Sequence, residues 1–148
     1  MTTHVSRRHF LQIIAATGAA GAISACGHSD ASPESFGDVP AGNVSALSVG
    51  SIQAVPNAPA YVARDANGIY AMTSTCTHAG CDMIARGSVS ANGINCNCHG
   101  SVFDKDGNVT SGPANAALAH FEVSVDTTGA ITVHGGKTVS QSTRVSVG

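Results

Sequence analysis

Six side chains in two short stretches hold most of the chemistry this chain offers. The stretch CTHAGC, residues 76–81, sets His78 between Cys76 and Cys81. Further on, CNCHGS, residues 96–101, brings Cys96, Cys98 and His99 together. Thiolates and imidazoles are transition-metal ligands, and paired cysteines are also the raw material of disulfides. A purely disulfide framework uses four sulfurs and leaves both histidines idle. A zinc site of Cys76, His78, Cys96 and His99 departs from the usual finger spacing and leaves Cys81 and Cys98 without a role. Either would make the protein a redox-inactive, stapled binding module. The third possibility is a centre that moves electrons. The surplus of two sulfurs over four metal positions is what the three readings must explain.

Short strands must position these residues. Asn67-Gly68, Asn92-Gly93, Asp106-Gly107 and Thr128-Gly129 punctuate the sequence from residue 44 onward in the manner of hairpin turns. Between them, residues 44–49, 60–64, 69–73, 94–96, 120–125 and 130–134 read as strands. Phe121, Val123 and Val125 alternate with Glu122 and Ser124, the period of a half-buried strand. No long amphipathic helix follows residue 26. The expected fold is all-β, a small antiparallel sandwich or barrel whose loops carry both cysteine–histidine stretches. Tyr61 and Tyr70 are expected in the core, and His120 and His134 at the surface or a strand edge. The turn around Asp104 and Asp106 needs no bound calcium to account for it.

The chain has 148 residues, room for one domain plus terminal segments. Only 11% of residues are charged and the net charge is −2, so no basic face for nucleic acid is present. Ser6-Arg7-Arg8-His9-Phe10-Leu11, followed by a modest apolar run, resembles a twin-arginine export signal. That run is shorter than the roughly 20 residues needed to cross hydrocarbon. Ile23-Ser24-Ala25-Cys26 resembles a bacterial lipobox, which implies lipidation of the fifth cysteine and a membrane tether; conventional signal-peptide cleavage nearby is the alternative. The expected division is a signal over 1–26, a flexible linker over 27–43, the β domain over 44–135, and a final strand or tail over 136–148.

Cys76-x-His78 and Cys96-x-x-His99 resemble the two ligand loops of Rieske proteins. That resemblance implies a 2Fe-2S cluster with two thiolates on one iron and two imidazoles on the other. It makes Cys81 and Cys98 the disulfide between the loops. That pair is missing from soluble Rieske ferredoxins and the Rieske domains of ring-hydroxylating oxygenases. Gly112-Pro113-Ala114 resembles the segment that covers the cluster, and the likeness runs over roughly residues 44–133. The implied activity is one-electron transfer in an exported carrier. Its partners would be a cytochrome, a copper protein or an oxidoreductase, with quinol in a cytochrome bc-type complex as the alternative. No nucleophile–base pair or carboxylate dyad suggests stand-alone catalysis.

Three departures from the family pattern bear on function. Asn97 stands in place of a proline. Ser101 keeps a hydroxyl that donates to a cluster sulfur in high-potential relatives, but Phe103 replaces a tyrosine that donates to a ligand cysteine. The expected potential is therefore lower than in tyrosine-bearing members. Ala79, beside Gly80, stands where quinol oxidases carry a leucine at their docking tip, which argues against quinol docking of the usual kind. Gly100 completes the second loop next to His99.

Overall fold

The computed structural model describes residues 34–148, so Arg7, Arg8 and Cys26 lie outside the described residues. In chain order the strands are β1 (Asp38–Asn43), β2 (Ile52–Ala54), β3 (Ala60–Asp65), β4 (Gly68–Thr73), β5 (Gly87–Ser90), β6 (Gly93–Cys96), β7 (Ser101–Phe103), β8 (Val109–Ser111), β9 (His120–Val125) and β10 (Ala130–Val139). They form two antiparallel sheets, one ordered β1-β10-β9-β4-β3-β2 and the other β5-β6-β7-β8. One short helix, α1 (Met83–Arg86), joins the loop over 76–81 to β5. The fold is all-β, as the turn punctuation predicts. Among the described residues no helix is long and apolar enough to cross a membrane.

Strands β3 and β4 are buried on both faces, and their alternation feeds two cores. Ala60, Val62, Ile69 and Ala71 join Phe121, Val123, Ile131 and Val133 on one side. Tyr61, Tyr70 and Met72 point the other way, into a second core with Met83, Ile94, Phe103 and Leu118. Cys76 and Cys96 belong to this second core, between the two sheets. Few large rings are needed, because small residues let the sheets approach closely.

The structure corrects three expectations. Residues 44–49 are not a strand: Val44–Ala46 is a single 3-10 turn, capped by the Asn43 side chain, which accepts from the Ser45 N–H at 3.0 Å. The strand lies earlier, in the stretch that composition assigns to the linker, where Val39 pairs with Val133 along the sheet edge. His120 is buried rather than exposed. Its Nε2–H donates to the Asp106 carbonyl at 3.0 Å, and its ring stacks on Tyr70.

The C-terminal segment is packed, not frayed. Val145 exchanges backbone hydrogen bonds with Ile69 at 2.9 Å each way. Arg144 lies over the Tyr70 ring at 3.8 Å and pairs with Asp65 at 2.6 Å and Asp106 at 2.5 Å. Burial works against a charged Asp65. Hydrogen bonds from Arg144 and from the N–H groups of Asn67 and Gly68 nonetheless hold its carboxyl below the usual range.

Candidate metal centre

Two loops of similar construction carry the six residues. In the first, the Gly80 N–H donates to the Cys76 carbonyl at 2.8 Å, and the Cys76 N–H donates to the Cys81 carbonyl at 2.9 Å. In the second, the Gly100 N–H donates to the Cys96 carbonyl at 3.0 Å. Both turns require left-handed backbone, with φ of 71° at Gly80 and 80° at Gly100. Each loop thus curls a histidine outward while its leading cysteine points in. Cys76 and Cys96 are buried, at 2% and 1% exposure, whereas His78 and His99 are exposed. The imidazole rings meet edge to face with centroids 4.8 Å apart.

Cys81 and Cys98 form a disulfide that joins the loops across 17 residues. Among the described residues the free cysteines are then Cys76 and Cys96. The sulfurs of Cys81, Cys96 and Cys98 lie within 4.8 Å of one another. Only Cys96 of these three retains a thiol.

A third loop, between β8 and β9, closes against both others. The Thr77 hydroxyl donates to the Ala116 carbonyl at 2.6 Å, which hooks it to the first loop. The Ala114 N–H donates to the Ser101 hydroxyl at 3.1 Å, which hooks it to the second. Ser101 keeps its own hydrogen to donate elsewhere. Gly112 is where backbone meets backbone: a Cβ there would lie 2.4 Å from the Gly100 carbonyl oxygen. Sequence reasoning missed Thr77 and the Ala116 carbonyl. The available signal was a hydroxyl between Cys76 and His78.

The donor set fits an iron–sulfur cluster. Burial pushes the Cys96 thiol up and the neighbouring Cys76 thiol adds to this, while the N–H groups of Cys98 and His99 favour its thiolate. Two facing buried thiolates need a cation, and iron supplies one. Burial, then the nearby charges of Asp82 and Cys96, push the Tyr61 phenol up to about 12, so it stays neutral beside the site.

Residues 36–122 match the family model of the Rieske 2Fe-2S domain. The chain belongs to the Rieske family. One 2Fe-2S cluster per chain follows from that membership. This Rieske domain is 38% identical over 78 residues to the cytochrome b6-f complex iron-sulfur subunit of Synechococcus sp. (strain CC9605), covering 51% of this chain and 43% of that protein. The corresponding subunit of Cyanothece sp. (strain PCC 7425 / ATCC 29141) is 44% identical over 61 residues, 40% of this chain and 33% of the relative. The chain thus spans less than half the length of these relatives. Among solved structures, the cyanobacterial plasma membrane Rieske protein PetC3 from Synechocystis PCC 6803 has a TM-score of 0.51 at 28% identity, covering 64% of this chain and 97% of that one. A chain in the complex of reduced oxygenase and oxidized ferredoxin in carbazole 1,9a-dioxygenase reaches 0.52 at 30% identity, covering 70% and 97%.

Proposed function

We propose that this protein is a one-electron carrier in which Cys76 and Cys96 bind one iron of the cluster and His78 and His99 bind the other. The observation that carries this reading is the sorting of four side chains in a Rieske domain: two buried thiols, and two exposed imidazoles in contact with each other. When bound, the cluster supplies a one-electron couple, and two neutral ligands in place of thiolates raise its potential to roughly −150 to +300 mV. The protein's own residues do the rest. The Cys81–Cys98 bridge and the Thr77 and Ser101 hydroxyls hold the three loops in register, so little rearranges when the charge changes. The exposed His78 and His99 edges offer the shortest route to a partner.

The disulfide favours an oxidising compartment. Together with the twin-arginine-like Arg7-Arg8 and the lipobox-like Cys26, it supports export and a membrane tether on the outer side. Redox proteins such as a cytochrome, a copper protein or an oxidoreductase are the partners this implies.

The test is iron and acid-labile sulfide analysis with electron paramagnetic resonance of the dithionite-reduced protein. The expected result is two irons per chain and a Rieske-type signal, lost in Cys76→Ser or His99→Ala. Zinc in place of iron would overturn the reading. A second reading, a subunit of a quinol-oxidising complex, is supported by the cytochrome b6-f relatives. Quinol turnover on reconstitution with a cytochrome b, abolished by a quinone-site inhibitor, would favour it.

A further inference from the structure

No spacing in the sequence signals a nucleophile beside a base, because the residues that make such a pair lie on different strands. β1, β10 and β9 are neighbours in that order, and their outward positions bring Asp38, His134 and Ser124 into line. Asp38 stands directly across from His134. On the other side His134 opposes Glu122, which makes Ser124 its diagonal neighbour. The His134 Nδ1–H donates to the Asp38 carboxylate at 2.9 Å, and its Nε2 lies 2.9 Å from the Ser124 Oγ. A carboxylate only accepts, so Nδ1 carries the hydrogen of the neutral ring. Nε2 is then left as the acceptor for the Ser124 hydroxyl. Glu122 is taken up by Lys137, at 2.7 Å, which leaves Asp38 as the carboxylate on the ring. The His134 side chain is only 18% exposed, held between its two partners, whereas Ser124 opens to solvent.

We infer that Ser124, His134 and Asp38 form a second functional site, in which the Ser124 Oγ takes an acyl group from an activated carboxylic ester. A serine nucleophile needs a hydroxyl, a base within hydrogen-bond reach and a third group that orients the base, and all three are present. In the first step Oγ bonds the ester carbonyl carbon while its proton passes to Nε2. The bond from that carbon to the alcohol oxygen then breaks, and the alcohol leaves with the proton. Water repeats the sequence on the acyl-serine, giving a proton to Nε2 that returns to Oγ. Ester and water become acid and alcohol, and nothing is oxidised or reduced. Thr132 stands directly opposite Ser124 on the same face, with Cβ atoms about 5 Å apart, which puts a hydroxyl donor beside the developing oxyanion. One hydroxyl is a weaker oxyanion site than a pair of backbone N–H groups, so the reactive esters are those with a good leaving group. Asp38 is 69% exposed and acts by orienting the ring more than by its charge. The site shares no residue with the metal centre and owes nothing to it.

The test exposes the full, cluster-loaded chain to p-nitrophenyl acetate at about pH 8, where an imidazole is ordinarily neutral. Peptide mass spectrometry locates the acetyl groups. Ser124 is expected to be acetylated about 10²-fold faster than the exposed Ser48 and Ser88. His134→Gln removes that advantage. Asp38→Asn and Thr132→Val each lower the rate about tenfold, and Asp38→Glu recovers part of the loss. A fluorophosphonate probe needs no variant: on the wild-type chain it should label Ser124, and prior acetylation should block it. Acetylation of Ser124 no faster than that of Ser48 and Ser88 would overturn the inference, leaving a surface chain of hydrogen bonds. A rate indifferent to His134→Gln, or nitrophenol release unchanged in Ser124→Ala, would do the same.

Discussion

A phenyl ring stands where a phenol could donate to a thiolate. Phe103 is wholly buried in the core that holds Cys76 and Cys96. A hydrogen bond to a ligand sulfur stabilises the more negative, reduced state. Phe103→Tyr is therefore expected to raise the potential, on the order of tens of millivolts, by protein-film voltammetry; an unchanged potential would sink this account. Gly112 is constrained twice, by its φ of 91° and by the Gly100 carbonyl. Gly112→Ala is expected to cost about 3 kcal/mol and to lower the iron content of purified protein, which metal analysis reads directly. His120 titrates against its surroundings. Burial holds it below the ordinary 6.5, with the Arg144 charge lowering it further and Asp106 acting in opposition. The native state thus resists a proton that the unfolded chain accepts. The resulting stability is complete above pH 6.5 and is lost as pH falls from there toward the folded-state value. Melting curves across about pH 5.5 to 7.5, roughly a unit above the ordinary carboxylate values, should show His120→Gln losing less stability toward acid than wild type.

At the scale of elements, the C-terminal segment is a clasp. Arg144 joins β3 through Asp65 and the β7–β8 turn through Asp106, and covers Tyr70 of β4. Its side chain is 11% exposed, while Asp106 is 51% exposed, so the pairing is only partly shielded from water. Arg144→Ala is expected to cost about 2 kcal/mol in urea denaturation and to open the last residues to carboxypeptidase, with the cluster spectrum unchanged. None of this clasp was legible in the sequence, because Asp65, Asp106 and Arg144 are far apart in the chain. The strands over 60–64, 69–73, 94–96, 120–125 and 130–134 were legible: alternation and flanking Asn-Gly or Thr-Gly turns are local signals. Strand β1 was not, since Asp, Pro, Gly and Asn in DVPAGN all read as loop. It is a strand because it has only one neighbour, β10, and an edge tolerates Pro40. The two cysteine–histidine loops and the Cys81–Cys98 bridge were the most legible features, being encoded in two contiguous stretches. The third loop was visible only as a glycine–proline segment, and the hooks from Thr77 and Ser101 needed coordinates.

For the molecule as a whole, the two cores divide the labour. The core containing Phe121 and Val133 owes nothing to the metal centre, whereas the second contains both free cysteines. Stripping the iron is expected to raise hydrogen exchange in β5 to β8 and the three loops, leaving β3, β4, β9 and β10 protected; uniform loss of protection would show that the cluster holds the whole domain. The three neighbouring sulfurs of Cys81, Cys96 and Cys98 then carry a consequence for manufacture. Burial keeps a bare Cys96 protonated, but once deprotonated it lies beside a disulfide that it can attack, exchanging partners and leaving the proposed ligand set. In the ligand set proposed above, iron on Cys96 would act as a protecting group. With that ligand set the expected order of assembly is metal first, and oxidation of Cys81 and Cys98 only afterwards.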